Sequence, residues 1–210
     1  MNRSPSRPAT LTRLDIGPNG IVHPAIVTAL IRVKNQAMLR ASEKHVVRAA
    51  CPADAEAICA IYNAAIAERG STFETEPRSA EDFMERIAAD RFPFLVSEAD
   101  GQIIGWAGLA PYSDRPCYAG IGECSVYVAV ESRGRGVGTA LTEALAVEAE
   151  SNGFHKLLGK LFKDNVASIR LIERCGFSPI GTHRRHGQLD GEWRDVLVVE
   201  RLLGVEMADS

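Results

Sequence analysis

At 210 residues the chain can bury one substantial core, and its length argues against two full domains. Twenty-four Lys and Arg against 27 Asp and Glu give a formal net charge of -3. Both signs are mixed along the chain, which speaks against a nucleic-acid surface or a polybasic membrane patch and favours a small-molecule ligand. No apolar run reaches the ~18–20 residues of a membrane span. The basic start lacks the apolar stretch and cleavage site of a secretion signal. Cys51, Cys59, Cys117, Cys124 and Cys175 are odd in number and show neither C-x-x-C nor Cys/His metal spacing, so reduced thiols, a cytoplasmic location and no metal are expected.

Residues 1–44 differ from the rest: Pro5, Pro8, Pro18 and Pro24 punctuate a polar start, and only Ile26 to Leu39 suits a short helix. This extension is expected to be poorly ordered or partly helical. A disordered tail, a partner-binding arm and translated upstream sequence with an internal start at Met38 all remain open. A single domain is expected over 45–203, followed by a short tail, 204–210.

From His45 onward strands and helices alternate. His45 to Ala49 suits a strand, and Pro52 opens a helix with apolar positions Ala55, Ile58, Cys59, Tyr62 and Ile66, ending by Gly70. Ser79 with Asp82 forms a capping-box pattern for a second helix to about Asp90. Phe94–Glu98 and Ile103–Leu109 flank Asp100-Gly101, a hairpin signal. A polar loop through Pro111, Asp114 and Pro116 then leads to a long strand, Ile121–Val130.

The segment that follows is the most telling of the chain. A basic, glycine-rich turn, Arg133-Gly-Arg-Gly-Val-Gly138, separates that strand from a helix beginning near Val137. Glycines leave main-chain N–H groups uncovered and a helix start adds its positive end, so the order strand, turn, helix suits a pyrophosphate, with charge from Arg133 and Arg135. The helix stops at Asn152-Gly153. A strand, Lys156–Phe162, precedes a helix from Asn165 to about Cys175-Gly176. Strands near Phe177–His186 and Trp193–Leu202 close the chain as a hairpin through Gln188-Leu189-Asp190-Gly191. The pattern is α+β, with a mixed, mostly antiparallel sheet flanked by helices.

With this order in view the chain resembles the Gcn5-related N-acetyltransferases over about His45 to Leu202. Arg133-x-x-Gly136-x-Gly138 fits that family's pyrophosphate loop, and Asn165-x-x-Ser168 followed by Gly176-Phe177 fits its second coenzyme motif. A P-loop would need Gly-Lys-Ser/Thr, which is absent. A dinucleotide fold expects an acidic residue at the end of the next strand, where this chain has Lys160 and Phe162. Within the family, Ser71-Thr-Phe-Glu-Thr-Glu-Pro77, Pro111-Tyr112 with Arg115 and Tyr118, Glu123-Cys-Ser-Val-Tyr-Val128 and Gly191-x-Trp193-x-Asp195 resemble the phosphinothricin and methionine-sulfoximine branch. The segment His183 to Asp195 is similar to the arsinothricin-resistance enzymes.

The resemblance implies a sheet splayed into a V, acetyl-coenzyme A as cosubstrate and a homodimer. It also implies acetylation of the α-amino group of a small amino-acid-like toxin. Val126, Tyr127, Val128, Arg133, Gly134, Arg135, Gly136, Val137, Gly138, Thr139, Asn165 and Ser168 would hold the coenzyme. Phe73, Arg115, Tyr118 and Arg184 would hold the acceptor, the arginines as forks for its anionic ends. Arg185, His183 and His186 are more simply a wet strand end.

An α-ammonium cannot attack a thioester until a proton leaves it. Glu123, which shares a strand face with Ser125 and Tyr127 if alternation holds, is the expected base, against the simpler reading of a surface or salt-bridged carboxylate. Cys124 beside it is expected to pack rather than to carry an acyl group. One departure stands out: relatives often place a Tyr or His seven residues after the coenzyme-binding asparagine, and this chain has Ile172. Acetylation of a protein N-terminus or a polyamine is the alternative enzyme reading. A non-catalytic acyl-coenzyme A sensor is the alternative outside enzymes, and Ile172 favours it.

Overall fold

The computed structural model describes residues 45–89 and 91–204. The expected extension over 1–44, with its short helix, and residues 205–210 of the expected tail lie outside them. Among the described residues, seven strands form one sheet: β1 (Val46–Ala49), β2 (Phe94–Ala99), β3 (Gln102–Pro111), β4 (Ile121–Val128), β5 (Lys156–Phe162), β6 (Ser178–Leu189) and β7 (Glu192–Leu202). Their spatial order is β1-β2-β3-β4-β5-β7-β6. Every neighbouring pair is antiparallel except β4 and β5, which are parallel. The helices are α1 (Ala55–Glu68), α2 (Ala80–Ile87), α3 (Val137–Ser151) and α4 (Val166–Arg174).

Local chemistry accounts for most boundaries. Pro52 opens a single 3-10 turn, Pro52–Asp54, before α1. At α2, Asp82 N–H donates to Ser79 Oγ (3.4 Å) and Ser79 N–H donates to Asp82 Oδ2 (3.0 Å), a reciprocal cap. That helix ends at Ile87, short of the expected Asp90. Strand β4 ends at Val128, two residues early, because Val130–Ser132 turn into a 3-10 helix leading to the glycine loop. The β6–β7 connection is also tighter than expected. Asp190 and Gly191 alone make the turn, at φ 50° and 83°, the two-residue geometry that Asp-Gly favours. Gln188 and Leu189 join the ladder opposite Trp193 and Glu192. Leu189 is drawn in because its side chain is buried with Phe162 and Val196.

The sheet's period-two alternation sorts its side chains into two cores. On one face Leu95, Ala107, Leu109 and Leu157 pack under α3 and α4 through Val137, Leu141, Leu145 and Ile172. On the other, Phe94, Val96 and Trp106 meet Ile58 and Cys59 of α1 and Phe83 of α2. Trp106, fully buried, stacks between Phe94 and Tyr127 with centroids 5.2 and 4.8 Å away. Strand β4 is divided likewise: Cys124, Val126 and Val128 pack on the α3 side and Tyr127 on the α1 side.

One buried carboxylate fastens β1 to the start of α1. Arg48 donates to both Asp54 oxygens at 2.7 and 2.9 Å, and Cys51 N–H donates to Asp54 Oδ2 at 2.8 Å. The Arg48 guanidinium, helped by the Cys51 amide, holds the Asp54 carboxyl down at about 2 against desolvation that would raise it. A carboxyl depressed on folding contributes stability above its unfolded value near 3.9 and loses it as pH falls toward 2. Denaturation midpoints should therefore fall between pH 4 and 2 in the wild type. Asp54→Asn should be less stable at pH 7, by about 2 kcal/mol, and should show a flatter acid limb.

Candidate active site

The parallel pairing of β4 with β5 lasts for three residues only, Ile121, Gly122 and Glu123 opposite Lys156, Leu157 and Leu158. Beyond Glu123 the two strands part, while β4 stays paired with β3 as far as Val128 and β5 with β7 as far as Phe162. The direction of the freed main-chain groups follows from the bonds at either end of β4. Ala129 N–H donates to Ile104 O on the β3 side, and Gly120 O accepts from His155 N–H on the β5 side, each at 2.9 Å. Alternation then turns odd-numbered residues of β4 toward β3 and even-numbered ones toward β5. Val126 and Val128 thus present their amides to the gap left by β5. Main-chain groups without a partner are strong binding groups.

The gap widens into a cleft of about 940 Å³, floored by β4 and walled by the glycine loop, the start of α3, the start of α4 and the end of α1. Gly134 and Gly136 hold left-handed φ of 75° and 86°, with open space where a Cβ would stand. Gly138 differs: a Cβ there would come 3.1 Å from Leu171, so it serves the close packing of α3 on α4. Every residue expected on the coenzyme except Arg135, which is exposed, lines this cleft. Arg133 is not a free cation in it. Its guanidinium donates to both Glu68 oxygens at 3.0 and 2.8 Å, and its Nε donates to Val128 O at 3.1 Å. Asn165 caps α4, its Oδ1 accepting from Ser168 N–H at 3.1 Å, while its Nδ2 donates to Gly70 O at 3.2 Å.

Other cleft residues were not anticipated. Arg170 and Arg174, one helical turn apart on α4, line it and have no ion pair among the described residues. Their i, i+4 spacing was a readable signal. Arg194 lines it too, paired with Asp164 at 2.7 Å. Glu68 faces Arg133 across a sequence gap no local pattern reveals.

Glu123 stands where the strands part, on the face shared with Ser125 and Tyr127. Its Oε2 accepts from Lys160 Nζ of β5 at 2.7 Å. Burial pushes the Tyr127 phenol up, keeping it protonated. Cys124 points to the opposite face, and desolvation pushes its thiol up to about 12, so it is no ready nucleophile at neutral pH. Ile172 is turned into the core beneath α4.

The residues expected on the acceptor are dispersed. Phe73 packs edge-on against Phe162, centroids 4.7 Å apart, and lies so close to β6 that a Cβ on Gly187 would sit 2.8 Å from its ring. Arg115 and Tyr118 lie together on the exposed turn after β3, the guanidinium 5.8 Å from the ring. Arg184 is exposed in the irregular stretch of β6 between His183 and Gly187. None of these four lines the cleft. His183 and His186 stack on one another at 4.7 Å. Among the described residues, no group of three or more His, Cys, Asp or Glu is placed to hold a metal ion, and no helix is long and apolar enough to cross a membrane.

The family model for the acetyltransferase (GNAT) family matches residues 58–177. The chain is 33% identical to a phosphinothricin N-acetyltransferase of Streptomyces viridochromogenes, over 71% of this chain and 83% of that one. It is 32% identical to an L-methionine sulfoximine/L-methionine sulfone acetyltransferase of Pseudomonas aeruginosa, over 73% and 92%. Among solved structures, a phosphinothricin acetyltransferase from Sinorhizobium meliloti in complex with acetyl-coenzyme A superposes with a TM-score of 0.73 at 27% identity, covering 80% of this chain and 92% of that one. A ribosomal-protein-alanine N-acetyltransferase from Brucella melitensis gives 0.72 at 34% identity, over 75% and 99%.

Asn165 joins the cap of α4 to the end of α1, and the two bonds can be separated by substitution. Asn165→Ala should lower stability by about 0.5–2 kcal/mol, the usual cost of a lost cap. Asn165→Asp keeps the acceptor oxygen and adds a charge that a helix start favours, but sets a second oxygen against Gly70 O, so it should cost less than Asn165→Ala in denaturant titrations.

Proposed function

The chain belongs to the acetyltransferase (GNAT) family and is an N-acetyltransferase; from that premise we propose that it acetylates the α-amino group of a small amino-acid-like molecule by direct transfer, with Glu123 as the base. The observation that carries the reading is the parting of β4 and β5 at Glu123. Glu123 is the last β4 residue paired with β5, three positions before Val126, where the cleft lined by the glycine loop and two helix starts begins.

Acetyl-coenzyme A supplies the acetyl thioester, and this chain's groups fit its parts. The outward amides of Val126 and Val128 suit the pantetheine and the thioester carbonyl oxygen, where preorganised donors contribute a few kcal/mol. Tyr127 between them turns its main chain toward Trp106 of β3 and keeps its ring in the aromatic core, so it lines the cleft without offering a free amide. Gly134, Gly136, Val137, Gly138 and Thr139 offer N–H groups and the positive end of α3 to the pyrophosphate. Arg135 stays at the rim as long-range charge, whereas Arg133 braces the loop through Glu68. Asn165 and Ser168 shape the far wall. Arg170 and Arg174, which have no carboxylate partner among the described residues, suit the remaining phosphate charge.

Glu123 takes one proton from the acceptor's α-ammonium, and the amine so freed can form the new C–N bond as the C–S bond breaks. The second proton of that nitrogen leaves with the thiolate by way of water. With Ile172 in the core, no side chain of α4 is asked to supply it, and a thiolate with a pKa near 8.5 is an adequate leaving group.

Phosphinothricin, methionine sulfoximine and arsinothricin are the acceptors we favour, on the strength of the relatives' named substrates and of the motifs shared with their branch. Phe73 would wall the acceptor pocket from β6, with Arg115, Tyr118 and Arg184 at its margins. A cytosolic homodimer is the assembly we infer; free cysteines suit a reducing compartment. The exposed Ile180 and Leu202 of the outer strands suit contact with a second copy. A protein N-terminus is the second reading, favoured by the likeness to the ribosomal-protein-alanine enzyme.

The test measures coenzyme A release with phosphinothricin, methionine sulfoximine, methionine sulfone, arsinothricin and an alanine-initiated peptide. Turnover on the amino acids above the peptide is expected. Glu123→Gln should lower kcat/KM at neutral pH by ~10²–10⁴-fold while acetyl-coenzyme A binding stays within about threefold. Full activity of Glu123→Gln would remove the base assignment. Tight coenzyme binding with no turnover on any acceptor would favour the sensor.

A further inference from the structure

The proposed chemistry leaves Lys160 without a task, although it holds the carboxylate on which that chemistry turns. Its Nζ donates to Glu123 Oε2 at 2.7 Å, across the point where β4 and β5 separate. Lys160 lies two residues beyond Leu158, the last β5 residue paired with β4, and directly opposite Val198 of β7. Both partners remain accessible, the Lys160 side chain 45% and the Glu123 side chain 30% exposed. This is unusual for the middle of a seven-stranded sheet and has a definite cause. On this face α1 and α2 cover the strands as far as Trp106 and Tyr127. The cluster of Phe73, Phe162, Leu189 and Val196 closes the β5–β7 side. Ser125 and Val198, between them, are only half-buried.

We propose that Glu123 and Lys160 together form a clamp for the zwitterion of an α-amino acid, with Lys160 as the residue that selects acceptors having a free α-carboxylate. An α-amino acid has opposite charges on adjacent carbons. Laid antiparallel on the ion pair, its ammonium meets Glu123 and its carboxylate meets Lys160, and each of the four charges gains a second opposite neighbour. Among the described residues Glu123 Oε1 has no hydrogen-bond partner, and an ammonium has three donors, so the pair can accept this partner without first breaking. A peptide N-terminus or a polyamine supplies the ammonium alone and leaves Lys160 with nothing new to bind. The clamp rests on the reading of Glu123 as the group that faces the acceptor's amine, and it separates the two acceptor readings above.

The test reads binding rather than turnover. L-methionine sulfone and its α-carboxamide are titrated calorimetrically into wild-type, Lys160→Met and Lys160→Arg protein, each saturated with coenzyme A so that no acetyl group is present. The wild type should bind the acid at least ~10-fold tighter than the amide, a typical step for one charge-assisted contact. Lys160→Met should lose this preference by weakening the acid alone, with the amide unchanged within about twofold. Lys160→Arg should restore most of it. Equal weakening of acid and amide in Lys160→Met, or a preference that survives the substitution, would overturn the clamp. So would wild-type protein that binds neither. A preference lost as expected, in an enzyme whose Glu123→Gln variant keeps full activity, would preserve the clamp and remove the base. An exposed pair adds little to stability, so the variants should unfold within a few degrees of the wild type.

Discussion

The site depends on a pairing that stops. Strands β4 and β5 are the only parallel neighbours in the sheet, and they hold together for three residues before each continues with its other partner. A strand edge inside a sheet would ordinarily be filled or covered, because bare main-chain groups are costly when buried and adhesive when exposed. Here the edge is kept open. Helices α3 and α4 start at its mouth, and the amides of Val126 and Val128 point into it. The same divergence puts Glu123 at the apex and Lys160 across from it, so cleft and ion pair have one geometric origin.

Around that opening the end of α1 acts as a brace. Glu68 holds Arg133 of the glycine loop, Arg69 pairs with Asp190 of the β6–β7 turn, Gly70 accepts from Asn165 of the α4 cap, and Phe73 is seated on Gly187. Four residues within the span 68–73 therefore tie the loop, the second helix start and the closing hairpin to one another. The exposed ion pairs among these contacts contribute little stability singly. Their value lies in fixing the positions of segments far apart in sequence.

The local half of this arrangement was legible in the sequence. Turn chemistry at Asp100-Gly101, the capping box at Ser79 and the strand, glycine turn and helix order around Arg133 are short-range patterns, and the structure places them at or near the expected residues. The β6–β7 turn is two residues tighter than the local pattern suggests, because Leu189 joins the ladder and its burial against Phe73 depends on a segment more than a hundred positions away. The pairing of Arg133, expected to supply charge to the loop, with Glu68 is hidden for the same reason: Glu68 is remote in sequence. Asn165-x-x-Ser168 shows that one pattern can have two meanings, since a helix cap explains it in full before any ligand is considered. Lys160 belongs to no local motif. Its nearness to Glu123 follows from which strands are neighbours, and sequence periodicity does not supply that.

The account is tested most directly by following the acetyl group itself. Acetyl-coenzyme A labelled with carbon-13 at the carbonyl would be turned over with methionine sulfoximine or phosphinothricin, and both the small molecules and the intact protein examined by mass spectrometry and NMR at early and late times. Label on the acceptor's α-nitrogen, with none on the protein at any time, is the predicted result. Label held by the protein during turnover would contradict direct transfer, and coenzyme bound without any labelled amino acid would contradict the function proposed for the cleft.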